Sequence, residues 1–186
     1  MLRAGESVLL LVDIQERFRP AVAGMDGVIG RSAILLKAAL RLGIPVLASE
    51  QYPKALGSTV EELRSLLPAP GQSGVGADVF PKLCFSAAGC EPLLARLRAL
   101  GRRQVVLGGV EAHVCVLQTS LELQTSGFAV HVVEDAVASR KEDDRLAALR
   151  RMERHGVERV TSEMVVFEWL REAGTPEFKE LQGLIR

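Results

Sequence analysis

The chain is 186 residues long, with 23 basic against 23 acidic side chains and 48% hydrophobic residues. That balance excludes disordered and fibrous classes, and zero formal charge argues against nucleic acid as the main partner. No apolar stretch approaches the roughly 20 residues of a membrane span, and 3 cysteines cannot complete a disulfide framework. The length suits one domain over residues 1–186 better than two. The apolar run Val8–Val12 is too short for a signal-peptide core and follows no basic leader, so a cytoplasmic protein is expected.

Ser7 to Ile14 (SVLLLVDI) is an apolar run closing on Asp13, as a strand buried on both faces requires. Val28 to Leu42 has helical spacing and stops at Gly43, with Pro45 just beyond. Pro45 to Ser49 reads as a second strand, followed by a loop (EQYPKALGST) marked by Pro53 and Gly57. Thr59 with Glu62 forms a capping-box pattern opening a short helix. Pro68 to Gly76 is a Pro/Gly-rich loop, and Asp78 to Lys82 is a third strand.

Pro92 opens a helix with Leu93, Leu97 and Leu100 on one face, stopped by Gly101. Gln104 to Val110 is a fourth strand, Cys115 to Ser126 a helix, and Ala129 to Val133 a fifth strand. Lys141 to His155 is a helix with its acids early and its arginines late, which complements the helix dipole. Val157 to Thr161 supplies a sixth strand, and two short helices follow, the last opened by Thr175 and Pro176. Such alternation implies right-handed crossovers and a parallel sheet with helices on both faces, a three-layer α/β/α fold.

Sites in such sheets lie beyond the carboxyl ends of the strands, where strand order reverses. Three polar residues meet that condition: Asp13 after strand one, Lys82 at the end of strand three, and Cys115 after strand four. Singly, each has an ordinary structural reading as a turn residue, a surface cation or a small buried hydrophobe. Together they describe acyl transfer. A helix N-terminus and an ammonium would lower the thiol pKa, and a carboxylate can take and return the thiol proton. The glycines of LGGVEAHVC let backbone N–H groups face a developing oxyanion.

The blocks LLLVDIQERF (9–18), SEQYPKALGSTVEEL (49–63), PKLCFSA (81–87), GGVEAHVCVLQTSLEL (108–123), HVVEDAVASR (131–140) and PEFKELQGLI (176–185) give the chain a wider resemblance. It resembles the isochorismatase-like cysteine hydrolases, in particular the isochorismatase domain-containing subgroup, over essentially its whole length. The resemblance implies a Rossmann-like six-stranded parallel sheet of order 3-2-1-4-5-6 and a catalytic triad of Asp13, Lys82 and Cys115. It also implies a non-proline cis peptide joining Val110 and Glu111, and an oxyanion hole from the amides of Glu111 and Cys115. Nicotinamidase-type relatives place metal-binding histidines after strand two. The loop EQYPKALGST has none, so neither metal nor cofactor is expected.

Phe18, Gln51, Tyr52 and His113 are candidates for the substrate pocket. The expected partners are a small-molecule substrate, an amide, imide or related carbonyl, and further copies of the chain. Nucleic acid and membrane are not expected. Phe178, Leu181 and Ile185 form an apolar stripe that suits either the parent domain or another subunit. Two rival readings are a non-catalytic scaffold of the same fold and a thiol redox enzyme using Cys84 with Cys115.

Overall fold

Six strands alternate with helices in the computed structural model, which describes residues 1–67 and 77–185. The strands are β1 (Ser7–Val12), β2 (Val46–Gln51), β3 (Ala77–Lys82), β4 (Gln104–Val110), β5 (Ala129–Ala138) and β6 (Glu158–Val160). The helices are α1 (Met25–Arg41), α2 (Pro53–Leu56), α3 (Glu61–Arg64), α4 (Glu91–Ala99), α5 (Leu117–Thr125), α6 (Glu142–Arg154), α7 (Ser162–Leu170) and α8 (Pro176–Leu181). All strand pairs are parallel, in the order β3-β2-β1-β4-β5-β6. The Pro/Gly-rich segment 68–76 lies outside the described residues.

The continuous apolar runs follow from burial on both faces, because successive strand side chains point to opposite sides. Leu9 and Leu11 of β1 join α1 and α7, through Leu35, Leu36, Val165 and Trp169, in one core. Val8, Leu10 and Val12 join α4, α5 and α6, through Leu93, Leu97, Leu123 and Met152, in the other. Each fully buried leucine contributes about 1.5–3 kcal/mol of hydrophobic transfer free energy. No helix among the described residues is long and apolar enough to cross a membrane.

Two local expectations change, and one left open between two alternatives is decided. Thr59 does not cap α3, because its N–H and hydroxyl both donate to Glu50 Oε1 at 2.7 and 2.9 Å. Val60 stands at the N-cap instead, without a side-chain bond. Strand β5 continues past Val133 to Ala138, since Glu134 and Asp135 find partners in Arg159 and Ser162. The C-terminal stripe packs on its own chain: Leu181 is buried, and Phe178 and Ile185 lie against the α1 side of the core. Thr175 caps that helix by accepting from the Phe178 amide at 3.1 Å, with Pro176 in its first turn.

Candidate active site

Sheet register brings the candidate residues to one end of the sheet. Val12 pairs with Ser49 on one side and with Gly109 on the other, and Gln51 pairs with Lys82. Asp13, the next residue after β1, therefore sits at the central reversal of strand order, tied by its amide to Ser49 O at 3.0 Å. Its backbone is left-handed (φ 54°), and its side chain is fully buried.

Lys82 Nζ donates to Asp13 Oδ2 at 2.7 Å, and neither side chain is exposed. Ser49 Oγ donates to the other carboxylate oxygen at 2.7 Å. Gln51 Oε1 (2.7 Å), Phe85 O (2.9 Å) and Cys84 O (3.2 Å) are the other acceptors around the ammonium. Gln51 Nε2 in turn donates to Leu83 O at 2.8 Å, so this side chain positions Lys82. Gln15 secures the same corner, accepting from the Gln51 amide at 2.8 Å and donating to Gln51 O and Gly57 O. Removing the cation from a buried pair this well bonded costs about 3–5 kcal/mol, because it leaves the carboxylate's charge uncompensated.

The Val110–Glu111 peptide is cis. From β4 the chain passes through one π-helical turn, Ala112–Val116, into α5, and Cys115 lies in that turn. Cys115 is buried, and the charges of Asp13 and Lys82 both act on its thiol. The effect on the thiol is the reverse of the expected one. Burial foremost, and then the Asp13 carboxylate, push it up to about 12, with Lys82 pulling the other way. The resting site is therefore a protonated thiol beside a carboxylate, and the sulfur becomes nucleophilic only as its proton leaves.

A raised thiol has a consequence for stability. The unfolded thiol titrates near ~8.5. Because the folded value is higher, the stabilising contribution is complete below that pH and declines as pH climbs toward about 12. Above pH ~9 the parent protein should lose up to ~1.4 kcal/mol per pH unit relative to Cys115→Ala. Urea unfolding of both proteins at several alkaline pH values measures this, and parallel curves would count against it.

Cys115 lines a cavity of about 470 Å³ with Phe18, Gln51, Leu56, Phe85 and Val114 among its walls, and with Arg17, Glu111 and Arg140 as its charged members. Phe18 and Gln51, two of the pocket candidates, line this cavity. Tyr52 does not line this cavity. It takes a left-handed backbone at the end of β2 and borders a separate depression with Pro53 and Leu83, 49% exposed. His113 lies outside the lining too, with Nδ1 3.0 Å from Ser139 Oγ and Nε2 3.9 Å from Asp144.

Gln15, Arg17, the Glu111 side chain and Arg140 are additional members of the site, and all four stand within the quoted blocks. The signal for Arg140 was its place at the close of HVVEDAVASR, just past β5 and so at the same end of the sheet. The three cysteines are free thiols, Cys84 exposed and Cys90 and Cys115 buried. No group of three or more His, Cys, Asp or Glu among the described residues is placed to hold a metal ion.

Six parallel strands between two layers of helices, with Asp13, Lys82 and Cys115 near the reversal of strand order, form a three-layer α/β/α fold. The isochorismatase domain pattern matches residues 7–164, and the chain belongs to that family. It is 45% identical over 186 residues to isochorismatase domain-containing protein 1 of Danio rerio, covering 100% of this chain and 62% of the relative. The chain thus spans under two-thirds of that protein's length. A solved structure titled MAR1 ribonuclease, from Caenorhabditis elegans, superposes with a TM-score of 0.91 at 38% identity, covering 99% of this chain and 91% of that one. The YcaC gene product of Escherichia coli, titled an octameric hydrolase of unknown specificity, has the same fold, with a TM-score of 0.88 at 24% identity over 98% of this chain and 89% of that one.

Proposed function

We propose that this chain is a cysteine hydrolase that cleaves a small amide, imide or related carbonyl compound through a thioester at Cys115. The observation that carries this reading is the Asp13–Lys82 pair, 2.7 Å apart and fully buried, acting on a sulfur that opens to a substrate-sized cavity. In the forward step, Asp13 takes the thiol proton as Sγ bonds to the carbonyl carbon. The amides of Glu111 and Cys115 stabilise the oxyanion. The C–N bond breaks, and the leaving nitrogen receives the proton from Asp13. Water then attacks the thioester, gives its proton to Asp13, and releases the acid while the thiol regains its hydrogen. Thiol, carboxylate and water balance every step, so the scheme needs no cofactor. Lys82 holds Asp13 against the sulfur and offsets its charge.

The test is Cys115→Ala, assayed over a panel of small amides. Turnover should fall on the order of a thousandfold or more. Retained turnover would remove the covalent mechanism, and a parent protein that hydrolyses nothing on the panel would favour a scaffold role. The name of the nematode structure raises RNA as a substrate. Against it stand a formal charge of zero and a cavity of about 470 Å³, because binding an RNA backbone needs a basic excess.

Self-association forms part of the proposal. Val79, Leu83 and Phe85, on or just after edge strand β3, are 41%, 73% and 55% exposed among the described residues, and exposed apolar side chains there favour burial against another chain. Light scattering should give a mass above that of one chain.

A further inference from the structure

The charges around the Cys115 cavity do not cancel. Asp13 and Lys82, both fully buried, neutralise one another. On the cavity wall, buried Glu111 accepts from the backbone N–H and from Nε of Arg140 at 3.0 and 2.9 Å, which neutralises a second pair. The Arg140 side chain nevertheless remains 61% exposed, and its two terminal nitrogens have no partner among the described residues. Arg17 also lines the cavity and forms no ion pair among the described residues. Its neighbour Glu16 is engaged elsewhere, accepting from the Glu61 amide at 3.2 Å. One positive charge is left over, on a chamber otherwise walled by Phe18, Leu56, Phe85 and Val114.

We infer that the cavity selects a small monoanion, a compound joining the scissile carbonyl to a single carboxylate, which Arg17 and the free nitrogens of Arg140 bind. The inference rests on the hydrolase reading and adds the substrate's charge class to it. A guanidinium matches a carboxylate in planar, charge-assisted hydrogen bonds. A neutral substrate leaves Arg17 without a partner. A second carboxylate would face the apolar walls or the buried Glu111 carboxylate, and burying an unpaired charge is costly. Arg17 is therefore the specificity-determining residue, with Glu111 fixing Arg140 beside it.

The experiment compares iodoacetate with iodoacetamide, two reagents of nearly equal size that differ in charge. In both, Sγ bonds to the methylene carbon, the C–I bond breaks, iodide leaves and the thiol proton passes to Asp13. Mass spectrometry of the Cys115 peptide gives each rate. Arg17→Gln should slow iodoacetate about three- to tenfold more than iodoacetamide, and Arg17→Lys should restore most of the difference. The same difference should shrink as salt screens the pair. A rate ratio that Arg17→Gln leaves unchanged would overturn the inference. A second measurement needs no reactive sulfur. Isobutyrate should raise the melting temperature of the parent protein more than isobutyramide does, and Arg17→Gln should erase that preference; equal shifts in the parent protein would overturn it. Failure of the hydrolase reading shows separately, as turnover that survives in Cys115→Ala.

Discussion

Gly109→Ala should prevent the protein from reaching its folded state. Gly109 has φ 137°, a region that residues with side chains rarely adopt. A Cβ there would stand 2.0 Å from Val12 O and 2.8 Å from Val12 C and N. Those atoms belong to the backbone of β1, which is hydrogen-bonded to β2 and β4 and buried on both faces, so no side chain can swing aside. Relief would require β1 and β4 to separate beside Asp13. The expected loss is ~4 kcal/mol or more, a large part of the stability of a domain this size. Gly27→Ala is the control, because Gly27 lies in α1 with nothing within 4 Å of its added carbon. It should be neutral or stabilising by up to ~1 kcal/mol. Soluble yield and thermal melts separate the two variants, and a Gly109→Ala melt superimposable on that of the parent protein would refute the close approach of β1 to β4.

The same central strands explain what the sequence made legible. Burial on both faces leaves β1 and β4 almost wholly apolar, so their runs stand out without any knowledge of partners. Once the alternation of strand and helix implies crossovers, the ends of those strands become the place to look for Asp13 and Cys115. Properties set by chain-distant neighbours were not legible. Thr59 resembles a capping residue until Glu50 is seen to occupy its hydroxyl and amide. Glu134 and Asp135 read as the end of a strand because Arg159 and Ser162, which satisfy them, follow much later in the chain.

Thiol ionisation likewise depends on chain-distant neighbours. A lysine and a helix start argue for a thiolate, but burial and the adjacent carboxylate outweigh them. The pocket candidates divide on backbone geometry: a left-handed residue at the end of β2 turns Tyr52 to a different depression, while Gln51, one residue earlier, is drawn inward to Lys82.

Asp13→Asn and Lys82→Met should move the Cys115 thiol in opposite directions, although both should reduce turnover. The carboxylate raises the thiol pKa and the ammonium lowers it. Removing Asp13 therefore brings the midpoint of alkylation by iodoacetamide down, while removing Lys82 drives it further up. A more acidic thiol without catalysis is the signature of a carboxylate whose task is proton transfer: Asp13→Asn should cost ~10²- to 10⁴-fold in turnover even as the sulfur ionises more easily.

Stability should separate the variants too. With Asp13 neutral, Lys82 keeps the oxygens of Gln51, Cys84 and Phe85 around its charge, and asparagine tolerates the left-handed backbone at this position. A loss of ~1–3 kcal/mol is expected. With Lys82 gone, the buried carboxylate keeps the Ser49 hydroxyl but no cation, and the loss should reach ~3–5 kcal/mol. Labelling rates against pH and urea unfolding test both pairs of outcomes. Midpoints that shift in the same direction, or turnover that persists in Asp13→Asn, would take proton transfer away from this carboxylate.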